Sequence, residues 1–352
     1  MGSRERVLAA LNHKVPDKVP FMFAFIDKSI REKILGKKLH YQYNTSKADW
    51  SPVFAPGEES RVEPYECTDA EVARVLGLDA IGMQYLTPVF AEVDKSDDGT
   101  VYIKKNLLTT PAELKRIIMP DVDDESIYKP AKEFIKKYKG EFALYCRIRL
   151  GISPTLMSMG IEEFSYNTAD EPDFVKEVIS MFTEWVAKLV RNLVELGFDF
   201  LWSFDDMAFK NAPMFSEKIW DEIFFPYLKK AADNITIPWL FHSDGNLMPM
   251  LDRLVQLGMS GIHPLEPGAM ELSELKDKYG KKLCLVGNLD IDKALSGSTL
   301  EEADKEVKDR IELMGPGGGY IISDSNSVPA YCRVENILQV ARSVEKYRNI
   351  YT

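Results

Sequence analysis

The segment Ile235-Thr236-Ile237-Pro238-Trp239-Leu240-Phe241 runs directly into the segment His242-Ser243-Asp244-Gly245-Asn246. The first segment is β-branched and aromatic and carries no charge, which predicts a buried strand. The second supplies an imidazole, a carboxylate two residues later, a glycine and an amide. Several polar groups at the end of a buried strand are stable only where water or a ligand satisfies them. The junction therefore predicts a strand that ends in a cavity.

The same order, an apolar strand followed by a helix, recurs through the second half of the chain. Strands are predicted over 142–148, 198–203, 261–266, 283–288 and 319–323, and helices over 171–195, 216–232, 247–257, 272–279 and 334–347. Two earlier strands are predicted over 17–25 and 80–83. This alternation predicts a parallel sheet covered by helices, and a total of about eight strands favours a closed (β/α)8 TIM barrel of the α/β class.

The alternative is an open, doubly wound sheet, which a glycine-rich phosphate loop after the first strand would favour. No such loop follows the first predicted strand, and the glycine-rich run 315–319 precedes a strand instead of a helix. We therefore predict one barrel domain over residues 1–352. The segments 27–75 and 92–110 interrupt the alternation and are predicted to be insertions, the first an N-terminal excursion and the second a hairpin around 97–99.

Composition limits the classes of function. The 352 residues are 45% hydrophobic and 28% charged, as in an ordinary soluble protein with a large core. The formal net charge of −11 argues against a nucleic-acid partner, which would need a basic face. No apolar run is long enough to span a membrane, and the N-terminus lacks the apolar core of a secretory signal. The four cysteines are scattered, which is typical of reduced thiols and predicts a cytoplasmic protein.

Polar residues follow almost every predicted strand from residue 142 onward. They are Arg147, Arg149, Asp205, Asp206, His242, Asp244, His263, Glu266, Asn288, Asp290, Ser323, Asp324 and Asn326. A barrel gathers the carboxyl ends of its strands around one mouth, where active sites lie. A single carboxylate there could simply cap the following helix. Six strands that end alike predict a shared small-molecule pocket, which at most one of two adjacent aspartates can enter directly, because neighbouring strand residues point to opposite faces.

Several motifs resemble the uroporphyrinogen decarboxylase superfamily. They are Ser3–Leu11 with Pro16–Pro20, Asp205-Asp206-Met207, Ser216-Glu217, Pro226-Tyr227, the His242 segment, Val286–Asp290 and Gly317–Ile321. The resemblance covers nearly the whole chain in the family's order, and it implies a single (β/α)8 barrel with its site at the strand carboxyl ends. One branch of the superfamily decarboxylates uroporphyrinogen without a cofactor and holds the macrocycle with N-terminal arginines. Phe21–Asp27 stands where that arginine motif would fall, which argues against porphyrinogen decarboxylation.

The other branch consists of corrinoid-linked methyltransferases that use zinc. Their metal motif resembles His-x-Cys-Gly-Asn at one strand end, with a second cysteine at the last strand. In this chain the histidine (His242), glycine and asparagine match, Asp244 replaces the cysteine, and 323–327 contains no cysteine. Two lost thiolates convert a soft N/S site into a harder N/O site, which can still bind zinc. Two outcomes stay open. Either His242, Asp244 and Glu266 bind zinc, or His242 and Asp244 act without a metal, as an acid–base pair or as substrate ligands.

The resemblance favours a methyltransferase that moves a methyl group between a small donor, a corrinoid carried by a partner protein, and an acceptor. The expected catalytic residues are Asp206, His242 and Asp244, and the expected substrate-binding residues are Arg147, Arg149, Lys210, Asn288 and Asn326. His263 is predicted to be a hydrogen-bonded core residue.

Two alternative functions remain. One is cofactor-free decarboxylation of a smaller acid, with Arg147 or Arg149 holding its carboxylate. The other is a non-catalytic barrel that only binds a corrinoid protein or a small ligand. Nucleic-acid and membrane partners are not expected, and a homodimer is left open.

Overall fold

The structure, a computed structural model, describes residues 1–39, 51–97 and 101–351. Its strands are β1 (Val53–Phe54), β2 (Tyr65–Glu66), β3 (Ala80–Gln84), β4 (Val89–Lys95), β5 (Val101–Asn106), β6 (Ala143–Ile148), β7 (Phe200–Phe204), β8 (Ala208–Phe209), β9 (Ala212–Pro213), β10 (Trp239–His242), β11 (Gly261–His263), β12 (Cys284–Leu289) and β13 (Tyr320–Asp324). The central sheet has eight strands in the order β13-β12-β11-β10-β7-β6-β3-β2. Every pairing in it is parallel except that of β2 with β3. The predicted α/β class with a curled, largely parallel sheet is confirmed.

The segment 20–22 lies between β13, one end strand of this sheet, and the start of β3 near its other end. Met22 N donates to Ile322 O on β13 at 3.2 Å, and the amide of Asp79, the residue before β3, donates to Phe21 O at 2.7 Å. A regular strand over 17–25 is nevertheless wrong, because only Phe21 and Ile26 form isolated bridges within it and beside it. Proline has no N–H, so Pro20, the one proline in this segment, leaves a gap in any strand ladder.

Helices cover the sheet. They are α1 (Ser3–Leu11), α2 (Lys28–Leu35), α3 (Ala70–Leu76), α4 (Pro111–Leu114), α5 (Lys129–Tyr138), α6 (Ile152–Met159), α7 (Ile161–Asp170), α8 (Pro172–Leu196), α9 (Glu217–Ile219), α10 (Phe225–Ala232), α11 (Leu251–Val255), α12 (Leu272–Tyr279), α13 (Leu300–Met314) and α14 (Val334–Tyr347). The predicted helices over 171–195, 272–279 and 334–347 are confirmed. The predicted helix over 216–232 is divided by a π-helical turn at Trp220–Phe224, just before Pro226. Proline cannot donate to the preceding turn, so the hydrogen-bond register changes there.

A buried ion-pair cluster lies beside the segment 20–22. The Asp79 carboxylate accepts from Arg6 Nη1 at 2.5 Å, from Arg348 Nη1 at 3.2 Å and from Phe21 N at 2.9 Å. All three charged side chains are at most 7% exposed. Asp79 therefore ties α1, the segment after it, β3 and the residues after α14 to one carboxylate.

The predicted insertions contain a second, smaller sheet of order β1-β4-β5, in which β4 and β5 form the predicted antiparallel hairpin. The predicted turn residues 98 and 99 lie outside the described residues, as do 40–50 of the first insertion. All four cysteines are buried and free of disulfides, as predicted. Among the described residues, no helix is both long enough and apolar enough to cross a membrane.

Candidate active site

The polar residues of the predicted site come from neighbouring strands of the central sheet. His242 is the last residue of β10 and lies in register with His263, the last residue of β11. Asp324 ends β13, and Asp206 lies two residues beyond β7. Because the strands are parallel, their carboxyl ends meet at one edge of the sheet. The predicted strand over 235–241 is shorter than expected and begins only at Trp239, but its end at the polar segment is confirmed.

Three of these side chains bring acceptor atoms to one point. His242 Nε2 lies 3.6 Å from Asp206 Oδ1 and 3.7 Å from Asp244 Oδ1. The three ligand atoms lie within 4.8 Å of one another, and no other group of three or more such side chains within this distance occurs among the described residues. Glu266 is outside the group, so Asp206 occupies the position expected of Glu266. A carboxylate and an imidazole are both good zinc ligands.

The backbone around Asp244 is fixed by hydrogen bonds. Asp244 N donates to Asp206 Oδ1 at 3.0 Å, and Asn326 Nδ2 donates to Asp244 Oδ2 at 2.5 Å. Gly245 N donates to Glu266 Oε2 at 2.8 Å, which accounts for Glu266. Gly245 has a φ of +86°, and a Cβ there would lie 2.4 Å from the carbonyl oxygen of Ala208, so only glycine fits. The arrangement leaves Asp244 Oδ1 buried without a hydrogen-bond partner among the described residues.

The charges of the site shift its pKa values. Burial, with the carboxylates of Asp206 and Glu266 close by, raises the pKa of Asp244 to about 7. Burial lowers the pKa of His242 well below its usual value, and His263 with two nearby arginines adds to this effect. At neutral pH the imidazole is therefore uncharged and able to act as a ligand or a base.

The raised pKa of Asp244 predicts a pH-dependent stability. A carboxyl whose pKa is higher in the folded chain binds its proton more tightly there, so its contribution to the unfolding free energy falls as the pH rises from about 4 to about 7. We expect urea unfolding in chelator-treated buffer to show a smaller loss of stability between pH 5 and 7.5 in Asp244→Asn than in the parent. Equal losses in both proteins would contradict the shift.

Behind the three acceptors lies a second histidine. The Nδ1 atoms of His242 and His263 are 2.7 Å apart, and His263 Nε2 lies 3.3 Å from Asp324 Oδ1. The side chains of His263 and Asp324 are fully buried. His263 is hydrogen-bonded in the core, as predicted, but its contact with His242 was not foreseen. The available signal was that two consecutive strands both end in histidine.

Phe204 lies between the two site residues His242 and Arg147 and contacts both. The ring of Phe204 stacks on His242 with centroids 4.4 Å apart, and the Arg147 guanidinium lies 3.9 Å from the centre of the same Phe204 ring. Arg147 Nε is buried and has no hydrogen-bond partner among the described residues. Arg149 instead donates to the carbonyl oxygen of Phe204 at 3.2 Å. The structure therefore brings Arg147 near His242 with part of its guanidinium unused.

Of the remaining predicted site residues, Lys210 and Asn326 line a cavity, whereas Asn288 is buried outside it. A cavity of about 250 Å³ is lined by residues that include Lys210, Asp244, Glu266 and Asn326. Asn288 is 3% exposed and donates to the carbonyl oxygen of Leu265 at 2.8 Å.

Of the adjacent aspartates, only Asp206 faces the site. Asp205 is fully buried and accepts from the amides of Leu150 and Ser153, at 2.5 and 2.8 Å, at the start of α6.

Comparison with known proteins places this chain in a family. The sequence profile of the uroporphyrinogen decarboxylase (URO-D) family matches residues 74–347. The chain belongs to the uroporphyrinogen decarboxylase family. This confirms the resemblance stated above, and the URO-D superfamily is one of enzymes. A comparison with curated protein sequences found no match.

Solved structures resemble this URO-D family member at low identity. A methyltransferase from Methanosarcina mazei is similar with a TM-score of 0.72 and 16% identity, over 99% of each chain. A B12-independent methionine synthase from Shewanella sp. W3-18-1 is similar with a TM-score of 0.45 and 10% identity, over 79% of this chain and 85% of that one. The first similarity shows that a methyltransferase shares this fold.

Proposed function

We propose that the protein is a corrinoid-linked methyltransferase whose donor-activating metal, zinc, is held by Asp206, His242 and Asp244. The observation that carries the proposal is the convergence of these three acceptors at the strand ends, 3.6 and 3.7 Å from the imidazole nitrogen to the two carboxylates. The full-length fold similarity to a methyltransferase supports it. In this proposal the sheet, joined through the segment 20–22, is a closed (β/α)8 barrel.

The donor set fits a zinc ion. Zinc–ligand bonds of about 2.0–2.2 Å place neighbouring ligand atoms roughly 3.3–3.6 Å apart in a tetrahedron. The contacts of 3.6 and 3.7 Å are close to this spacing and too long for hydrogen bonds. A cation would also satisfy Asp244 Oδ1, which is buried and has no hydrogen-bond partner in the part of the chain that the structure describes. Three protein ligands leave a fourth position open, which is the arrangement of a catalytic zinc site.

The chain's own residues would bind and orient the donor. Bound zinc would stabilise negative charge on the oxygen, nitrogen or sulfur atom that loses the methyl group. Asp206 is 54% exposed on its side chain, so its Oδ2, the oxygen that does not face His242, would be the one to exchange a proton with a bound molecule or with water. Lys210 and Asn326 line the adjoining cavity and would bind polar groups of the substrate. The corrinoid would arrive on a partner protein, and a cytoplasmic location remains part of the proposal.

Cofactor-free decarboxylation of a small acid is a second candidate, and Arg147 favours it. The buried Nε without a hydrogen-bond partner would be satisfied by a substrate carboxylate, which binds a guanidinium through two parallel bonds. The stacking of Arg147 on Phe204 would hold that carboxylate beside His242. This candidate needs no metal at Asp244.

A single assay series distinguishes the candidates. Zinc-loaded protein is mixed with cob(I)alamin and a methoxyarene, a methylamine or a methyl thioether, and methylcobalamin and the demethylated donor are quantified together. The proposal predicts equal amounts of both products from at least one donor class, and loss of that activity after zinc is removed. Carbon dioxide release from small carboxylic acids by metal-free protein would instead support decarboxylation. Binding of cob(I)alamin or donors without any product would favour the non-catalytic alternative.

A further inference from the structure

His263 and Asp324 form a chain of polar contacts that ends at His242. The two imidazoles meet through their Nδ1 atoms at 2.7 Å, a distance at which one nitrogen must carry the proton and the other must accept it. A neutral imidazole donates from one nitrogen and accepts at the other. Whether His263 Nε2 carries a proton therefore decides which nitrogen is protonated in each of the two rings.

Asp324 determines whether His263 Nε2 carries the proton. Its Oδ1 accepts from Ser323 Oγ at 2.9 Å and from Ala24 N at 3.3 Å, so this oxygen acts as an acceptor. His263 Nε2, at 3.3 Å from the same oxygen, must then be the donor. In a neutral His263 the remaining nitrogen, Nδ1, accepts, and His242 must donate from its own Nδ1.

Packing holds both rings in the planes that these contacts need. The Trp202 ring meets His263 edge-on with centroids 4.9 Å apart and an interplanar angle of 89°. Phe204 stacks on His242 with an interplanar angle of 28°. Because His242 and His263 lie in register on adjacent parallel strands, their side chains project from the same face of the sheet.

We propose that Asp324 and His263 are positioning residues that fix His242 in the tautomer with its proton on Nδ1, so that the lone pair of Nε2 faces Asp206 and Asp244. The tautomer follows from the contacts alone, whereas its use as a preformed metal ligand rests on the proposed function. Neither positioning residue would touch the metal or the substrate. A metal-ligating histidine usually needs such a partner, and loss of the partner typically weakens metal binding by about 10–100-fold.

The tautomer can be read directly from the metal-free protein. The chain has only four histidines, so protein labelled with ¹⁵N-histidine gives few signals in a long-range ¹H–¹⁵N correlation spectrum. We expect His242 to show a protonated Nδ1 and an unprotonated Nε2 in the parent. In His263→Phe, which removes the acceptor, we expect the proton to move to Nε2, and in His263→Gln, whose amide oxygen can accept, to return at least in part to Nδ1.

Zinc affinity, measured by competition with a fluorescent chelator, supplies the second readout. We expect it to fall about 10–100-fold in His263→Phe and to recover partly in His263→Gln. His13→Phe is the matched control, since it makes the same replacement at an exposed histidine outside the polar chain, and both readouts should stay at parent values. A parent His242 protonated at Nε2 would overturn the inference. The inferred tautomer together with no zinc binding at all would support the inference and refute the proposed function.

Discussion

Replacing His242 with alanine is expected to remove zinc binding almost completely. His242 provides the one nitrogen among the three converging ligands. Its ring is buried, so alanine in its place would supply no ligand atom and would leave a cavity. We expect the zinc dissociation constant to rise at least roughly 1,000-fold, which corresponds to about 4 kcal/mol. Competition with a fluorescent zinc chelator measures the change, and unfolding curves show whether the variant is folded.

His13→Ala is the matched control for this experiment. The same residue type is removed there, but His13 is exposed just after α1, far along the chain from the ligand group. We expect zinc affinity in this variant to equal that of the parent. Unchanged affinity in a folded His242→Ala protein, or equal losses in both variants, would refute the ligand assignment.

Replacing Asp79 with alanine is expected to cause the largest loss of stability. The change leaves Arg6 and Arg348 buried beside each other without their shared carboxylate, and it leaves the amide of Phe21 without its acceptor. Removing one partner of a buried ion pair typically costs about 3–5 kcal/mol. The carboxylates that remain beside Arg6 and Arg348, those of Asp17 and Glu345, are exposed to water and do not replace the buried one. The free energy of unfolding from urea titration should fall by about that amount.

Asp17→Ala separates this effect from the general loss of a carboxylate. Asp17 also pairs with Arg6, at 2.8 Å, but its side chain is 38% exposed. Water can replace much of what Asp17 provides, so we expect a loss of about 1 kcal/mol or less. If the two variants lost equal stability, burial of the Asp79 cluster would not be the source of the effect.

The sequence alone was sufficient to predict most of the architecture. Apolar strands and amphipathic helices have distinct periods, so the order of the main strands and helices from β6 to α14 follows from the pattern, whereas the short strands β8 and β9 were not predicted. The end of each buried strand is visible where an apolar run stops at a polar residue, as at His242. This is why the edge of the sheet that carries the site could be predicted.

The ligand geometry needed the three-dimensional structure. Asp206 and Glu266 both follow a strand and have the same chemistry, but Asp206 reaches His242 whereas Glu266 accepts a hydrogen bond from Gly245 N. Which carboxylate reaches the site depends on loop paths after the strands, and no periodicity encodes those paths. The contact of His242 with His263 likewise depends on strand register, which local sequence does not specify.

Irregular backbone was the other source of error. The segment 17–25 has the apolar composition of a strand, but with Pro20 in it the pairing is reduced to isolated bridges. Similarly, Pro226 produced a π-helical turn in place of a simple kink. In both cases the pattern predicted burial correctly, and the missing N–H changed the hydrogen bonding.

The Asp79 cluster also sets an order for events during biosynthesis. Arg348 follows Asp79 by 269 residues, a distance that ribosomes cover in roughly 15–50 s at about 5–20 residues per second. Until Arg348 has been made, the Asp79 carboxylate beside β3 lacks one of its three hydrogen-bond donors. The ion-pair cluster around Asp79 is therefore completed only after residue 348 has been synthesised. A chaperone that binds the chain before residue 348 has been made would bind it while the Asp79 cluster is still incomplete.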